Sequence, residues 1–233
     1  MGITTIKSDI KTLKKNGIYY LINQKGDVEK YKPWLGDLFS FLYDKIMEKS
    51  IFPKKFNASI DNHSQILKSE FEQVHNKAII EFATGSGNAV EFLNNTNTYS
   101  GIDISAGLLH IAKNKFQNHG FMNFELFICD ACQTPFQDNI YEIAICNLSL
   151  NFFDDIDKFI LELKRVLKSG GTFFCSVPIP EKKNDKIIIR GNLYSTDDLQ
   201  KKFERNGFTF SPLSYENGAL LYFKTMLMEK HEI

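Results

Sequence analysis

Glycines 85 and 87 follow a short apolar run over residues 78–82, and three further apolar runs downstream each end in a polar side chain. Glycine reaches positive φ and lacks a Cβ. The N–H groups of such a turn, and of a helix predicted over 88–93, can therefore come close to a bound ligand. The second run, 98–104, places Asp103 at the carboxyl edge of its strand, where a carboxylate can accept both hydroxyls of a ribose. The third run, 124–130, ends in Asp130, and the fourth, 140–147, ends in Asn147. Ligands of open α/β sheets sit outside the carboxyl ends of the strands, so these four positions should converge on one crevice.

The elements that must position them are marked along the chain. Ser105 is suited to cap a helix bearing Leu108, Leu109, Ala112 and Phe116, because its hydroxyl can take a free backbone N–H. Asp154 and Asp155 suit the start of a helix with Ile156, Phe159, Ile160, Leu163, Val166 and Leu167 on one face, ended by Gly170 and Gly171. A fifth strand is predicted over 172–177, a capped helix over 196–207, and an antiparallel strand pair over 208–213 and 219–226. Residues 178–193 form a long basic connection with Lys182, Lys183, Lys186 and Arg190, and Tyr194 lies just beyond it. Long connections at this edge are often functional. Ahead of the first run, 17–22 and 28–31 read as a hairpin around a turn at 23–27. A helix is predicted from residue 35, with Pro33 before it and Leu38, Phe39, Leu42 and Ile46 at helical spacing. Phe52-Pro53 should break the chain before a second helix over 60–75 carrying Ile66, Leu67, Phe71 and Val74.

The segment from 78 to 178 resembles the class I S-adenosylmethionine-dependent methyltransferases, and most of all their type 11 group of quinone- and biotin-pathway enzymes. Their first motif, acid-x-Gly-x-Gly-x-Gly, is matched by Glu81-Phe-Ala83-Thr-Gly85-Ser-Gly87, with Ala83 in place of the first Gly. The resemblance implies that Glu81 orders the loop and that Ala83, Thr84, Gly85 and Gly87 line the methionine and ribose of the cofactor. Asp103 with Ile104 would take the ribose. Asp130 and Ala131, ahead of Thr134-Pro-Phe136, match the family's adenine contact. Asn147 and Leu148 match its fourth strand end, and 163–171 matches the helix and turn before the fifth strand, with Ser169 where the family has Pro. The implied fold is α/β and Rossmann-like, a seven-stranded, mostly parallel sheet with helices on both faces and an N-terminal helical lid. The implied units are residues 1–77, hairpin and lid, and 78–233, which bind S-adenosylmethionine and release S-adenosylhomocysteine. A nicotinamide-binding domain also uses a Gly-rich turn and an acid after the second strand, but it needs Gly or Ala three residues after the second Gly. Here that residue is Val90.

Charge gives no general pull toward nucleic acid or membrane, with 28 basic and 28 acidic residues, although the first 77 residues hold 13 basic and 9 acidic groups. Cys129 and Cys132 have C-x-x-C spacing, but Asp130 between them is taken by the adenine role and no second ligand pair follows, so no metal is expected. Cys146 and Cys175 read as small hydrophobes in strands. The absence of an apolar span points to a cytoplasmic protein without a membrane segment. His63, His75, His110 and His119 read as remote from the four strand ends.

The lid would select the acceptor. Tyr43 is the foremost candidate for touching it, with Trp34, Arg190 and Tyr194 behind. A small-molecule or carrier-bound acceptor comes first. An RNA base comes second, because amino-methylating enzymes place Asn or Asp-Pro-Pro-aromatic after the fourth strand and this chain has Asn147-Leu-Ser-Leu150 without prolines. A protein that binds the cofactor without transferring its methyl group is the third reading.

Overall fold

β-Strand propensity and burial on both faces explain the centre of the molecule. In this computed structural model, which describes residues 6–31 and 42–229, the four apolar runs become β3 (Ala78–Phe82), β4 (Thr98–Asp103), β5 (Phe124–Ile128) and β6 (Tyr141–Asn147). They run parallel, with Ile80 beside Ser100 on one flank and Ala144 on the other. Ile79 faces one apolar layer while Ile80 and Phe82 face the other, as expected of parallel strands covered on both sides. β7 (Leu167–Pro178) extends this sheet, and β9 (Leu220–Met226) pairs with it antiparallel. β8 is only Ser211–Pro212. With β1 (Lys11–Lys15) and β2 (Ile18–Ile22) the order is β1-β2-β5-β4-β3-β6-β7-β9-β8. The expected seven-stranded sheet is therefore present, from β5 to β8, with two strands added at its β5 edge.

The addition comes from the N-terminal hairpin, whose turn differs from the predicted one. Asn16 and Gly17 both have positive φ, 53° and 81°, the requirement of a two-residue hairpin turn that matches strand twist. Ile18–Ile22 thus pairs with the preceding Lys11–Lys15, while Val28 makes only an isolated bridge to Ile22. β2 then lies parallel to β5, Ile18 beside Leu126, so the sheet carries residues from both sides of position 77.

α1 (Tyr43–Ile46) continues into a π-helical stretch, Met47–Phe56, that contains Pro53. Proline lacks an N–H and clashes with the carbonyl four residues back, and the wider π turn accommodates this where a chain break was expected. The stretch ends at Asn57, φ 49°. The predicted lid positions Trp34, Leu38 and Phe39 lie outside the described residues. α2 (Ile60–Phe71) is capped by the Ser59 hydroxyl, which accepts the Asn62 N–H. α3 (Ala106–Asn118) is capped by Ser105, as its sequence predicts. α4 (Ile156–Val166) starts at Asp155, whose carboxylate accepts two N–H groups, and ends before Gly170 because Leu167 already enters β7. α5 (Thr196–Glu204) has a Ser195–Asp198 capping box. α4 and α5 cover one face of the sheet through Phe159, Leu163 and Phe203. α2, α3 and the π-helix cover the other through Leu67, Phe116 and Phe52. Each such buried side chain contributes roughly 1.5–3 kcal/mol.

No described helix is long and apolar enough to cross a membrane.

Candidate active site

At the carboxyl ends of β3 and β6 a cavity of about 470 Å³ is roofed by α1, the π-helix and the start of α2. Its floor is the loop after β3. Ala83 and Gly85 both have positive φ, 56° and 58°, so the backbone folds sharply. An alanine held there costs about 1–2 kcal/mol, which explains why a glycine was expected. The loop is braced from β4. The Gly85 N–H donates to Asp103 Oδ2 at 2.8 Å, the Ser105 N–H donates to Oδ1 at 2.9 Å, and the Thr84 N–H donates to the Ile102 carbonyl at 2.9 Å. A carboxylate has about four acceptor positions, so bracing the loop and accepting a ribose hydroxyl are compatible roles for Asp103.

Glu81 lies beneath this loop and lines the cavity. The Tyr99 hydroxyl donates to its carboxylate, and Tyr99 and Thr84 hydroxyls meet at 3.1 Å. Burial pushes the Glu81 carboxyl up to about 8; the Tyr99 hydrogen bond opposes this and the Asp103 charge adds to it. Burial also raises the Tyr43 phenol, whose ring packs beside Gly85.

A polar cluster ties the roof to the floor. Asp44 in α1 accepts from Ser86 Oγ at 2.6 Å and from Lys115 Nζ at 2.7 Å, and Lys115 also donates to Asn88 Oδ1 at 2.5 Å. Burial works to raise the Asp44 carboxyl, but Lys115, Ser86 and Asn88 together hold it below its ordinary value. A lowered carboxyl stabilises the folded form above its unfolded pKa, near 3.8, and that contribution is lost as pH falls below it. We expect Asp44→Asn to speed amide exchange in residues 43–56 about fivefold, the effect of losing roughly 1 kcal/mol from a partly exposed ion pair, with little change in melting temperature. Unchanged exchange in this segment would refute the tie.

The family description "methyltransferase domain" matches residues 80–175, the stretch from β3 to β7 that builds this floor. Over this stretch the chain is similar to the class I methyltransferases of the type 11 family. It is 31% identical over 109 residues to the ubiquinone/menaquinone biosynthesis C-methyltransferase UbiE of Desulfotalea psychrophila, covering 46% of this chain and 43% of that one. It is 32% identical over 166 residues to the malonyl-[acyl-carrier protein] O-methyltransferase of Buchnera aphidicola, covering 66% of this chain and 61% of that one. The chain thus spans less than two thirds of the length of these relatives. A solved S-adenosylmethionine-dependent methyltransferase from Aquifex aeolicus shares the fold at a TM-score of 0.61, with 18% identity and coverage of 79% of this chain and 96% of that one. A [4+2]-cyclase, SpnF, shares it at 0.66 with 15% identity, covering 84% and 94%, so the fold alone does not fix the reaction.

Within the matched stretch, Glu81, Ala83, Thr84, Gly85, Asn147 and Leu148 line one cavity together with Tyr43. Leu148 holds a φ of 58° at the end of β6, with its N–H donating to the Ser176 carbonyl at 2.8 Å. Asp103 and Ile104 lie at the end of β4 and do not line the cavity; Asp103 reaches its floor through the Gly85 N–H, and Ile104 is exposed. Asp130 is exposed at the end of β5 and accepts the Cys132 N–H at 2.9 Å, while Ala131 packs into the core.

Four expectations need correction. Gly87 opens onto α3 and not onto the cavity, because a Cβ there would meet Ala112 at 2.7 Å. The helix predicted over 88–93 is a single 3-10 turn, Asn88–Glu91, and supplies no long helix dipole. Arg190 and Tyr194 do not line the cavity. The Asn151 amide donates to the Arg190 carbonyl at 2.7 Å and folds that connection back, while Tyr194 packs on the core beneath Lys202. His63, read as remote, lines the cavity wall. Its position four residues before Leu67 and three before Ile66 already placed it on the buried face of α2.

Cys129 is buried in the core, and among the described residues no group of three or more His, Cys, Asp or Glu is placed to hold a metal ion.

Proposed function

We propose that the protein transfers the methyl group of S-adenosylmethionine to a small-molecule or carrier-bound acceptor and releases S-adenosylhomocysteine. The observation that carries this reading is the Asp103-braced loop opening into the same cavity as Asn147, where cofactor and acceptor would meet. Thr84 to Ser86 would hold the methionine end above Glu81, Asp103 the ribose, and Asp130 the outer, adenine end. The bound sulfonium supplies an activated methyl with its own leaving group. The chain's task is then to align the acceptor and exclude water, a role suited to the roof formed by Tyr43, Met47 and Phe52. The names of the relatives, one in quinone biosynthesis and one acting on a malonyl carrier protein, support an acceptor of this kind.

Calorimetry should show both S-adenosylmethionine and S-adenosylhomocysteine binding the wild type. Asp103→Ala should weaken both by about 10- to 100-fold, the effect of losing roughly 1.5–3 kcal/mol of charge-assisted hydrogen bonds. Unchanged affinity in that variant sinks the assignment. Radiolabelled cofactor offered to phenols, acyl-carrier thioesters and RNA then identifies the acceptor class. Labelling of RNA alone would replace the acceptor proposed here, and binding without any labelling would favour a protein that only holds the cofactor.

A further inference from the structure

His63 is 5% exposed and forms part of the cavity wall, between Phe52, whose ring centroid is 5.2 Å away, and Tyr222. Its Nδ1 lies 2.8 Å from the Tyr222 hydroxyl, and Nε2 has no hydrogen-bond partner among the described residues. A chain of bonds fixes which nitrogen carries the proton. The Ser59 N–H donates to Asn217 Oδ1 at 2.8 Å and Asn217 Nδ2 donates to the Ser59 carbonyl at 3.0 Å, so the backbone of Ser59 sets the amide's orientation. The same Nδ2 donates to the Tyr222 hydroxyl at 3.0 Å. That hydroxyl has one proton and, of these two neighbours, only Nδ1 can accept it. His63 is therefore the Nε2–H tautomer, a buried donor with no acceptor within 3.5 Å and only a weaker, longer contact to the Asn147 side chain. Burial lowers its pKa to about 4, against the opposing weak hydrogen bond to the Asn147 side chain, and keeps the ring neutral at ordinary pH.

Buried donors left unpaired are rare and costly, and they mark places where a ligand completes the bonding. Around this donor the wall is apolar at Met47, Phe52, Ile60 and Leu67. We infer that His63 Nε2–H binds an oxygen of the methyl acceptor, and that the acceptor is a molecule with a carbonyl or carboxylate oxygen on an apolar body. Tyr222 and Asn217 act through His63 as positioning residues. The identity of this ligand as a methyl acceptor rests on the function proposed above, whereas the tautomer does not.

The test uses full-length protein with ¹⁵N-labelled histidine and saturating S-adenosylhomocysteine. Long-range ¹H–¹⁵N correlation at pH 5 should show a histidine that stays neutral and Nε2-protonated, and its signals should vanish in His63→Gln. Benzoate and acetophenone, which present carboxylate and carbonyl oxygens on an apolar ring, should shift that Nε2, and the one that shifts it more identifies the oxygen preferred. Benzylammonium, which only donates, should not. His63→Gln should weaken binding of the preferred oxygen compound about tenfold, and S-adenosylhomocysteine affinity should stay within about twofold. Tyr222→Phe, which keeps the ring and removes only the proton that selects the tautomer, should mix the two tautomers and weaken the same compound. An Nδ1-protonated His63, a resonance indifferent to both oxygen compounds, or a response to benzylammonium alone would overturn the inference. Failure of S-adenosylhomocysteine to bind wild type would instead defeat the methyltransferase reading and leave the tautomer result standing by itself.

Discussion

Raising the pH from 6 to 9 should destabilise the ligand-free protein, and Glu81→Gln should remove most of that slope. The Glu81 carboxyl is wholly buried, and its pKa moves from an ordinary 4.5 up to about 8 because burial penalises the anion more than the Tyr99 hydroxyl favours it. Unfolded, the group is ionised throughout this range; folded, it keeps its proton until about 8. Unfolding between these values releases a proton, so stability is fullest below 4.5 and is lost as pH rises through 8. The total linkage is about 3–5 kcal/mol, and the local slope approaches about 1.4 kcal/mol per pH unit. Glutamine keeps an oxygen for the Tyr99 hydroxyl and carries no charge. Urea titrations at pH 6, 7.5 and 9 on both proteins decide the matter, and an equal slope in the variant would show that Glu81 is not the group responsible. A cationic ligand in the cavity would favour the ionised form, so the same carboxyl couples cofactor affinity to pH in the opposite sense.

How legible each part was follows from how local its cause is. The four polar strand ends could be read from sequence because an apolar run, a turn and an acid are all contiguous, and the sheet then brings the turn after β3 and Asn147 to one cavity, with Asp103 bonded to that turn. The N-terminal turn was also legible: Asn16-Gly17 is the stronger two-residue signal, and the longer polar stretch at 23–27 obscured it. Pro53 misled because a π-helix depends on what packs around it, here Phe52 and Phe56 in the core. The tie between Asp44, Ser86 and Lys115 joins residues 42 and 71 positions from Asp44, and no local pattern announces such a meeting. Residues 178–193 are long enough to suggest a substrate loop. Their course is set by Asn151, which donates to the Arg190 carbonyl and accepts the Asn192 N–H at its own carbonyl, 2.7 Å in each case.

Gly87→Ala should cost about 2–5 kcal/mol of stability and reduce cofactor binding in step with the folded fraction. Two independent penalties meet at this residue. Its φ of 79° is left-handed, which costs an alanine roughly 1–2 kcal/mol. A Cβ would also stand 2.7 Å from both Ala112 Cα and Cβ and 3.3 Å from Phe116 Cε2, and overpacking of this kind costs about 1–3 kcal/mol more. The neighbour is α3 itself, whose backbone cannot swing aside as a flexible side chain could. Gly26 separates the two terms, since its φ is 86° but no heavy atom lies within 4 Å of an added Cβ. Gly26→Ala should therefore show only the backbone penalty. Denaturant unfolding of the two variants side by side tests the argument. Equal losses would mean that α3 yields, and that Gly87 is required for its backbone conformation alone and not for the close approach of helix to loop.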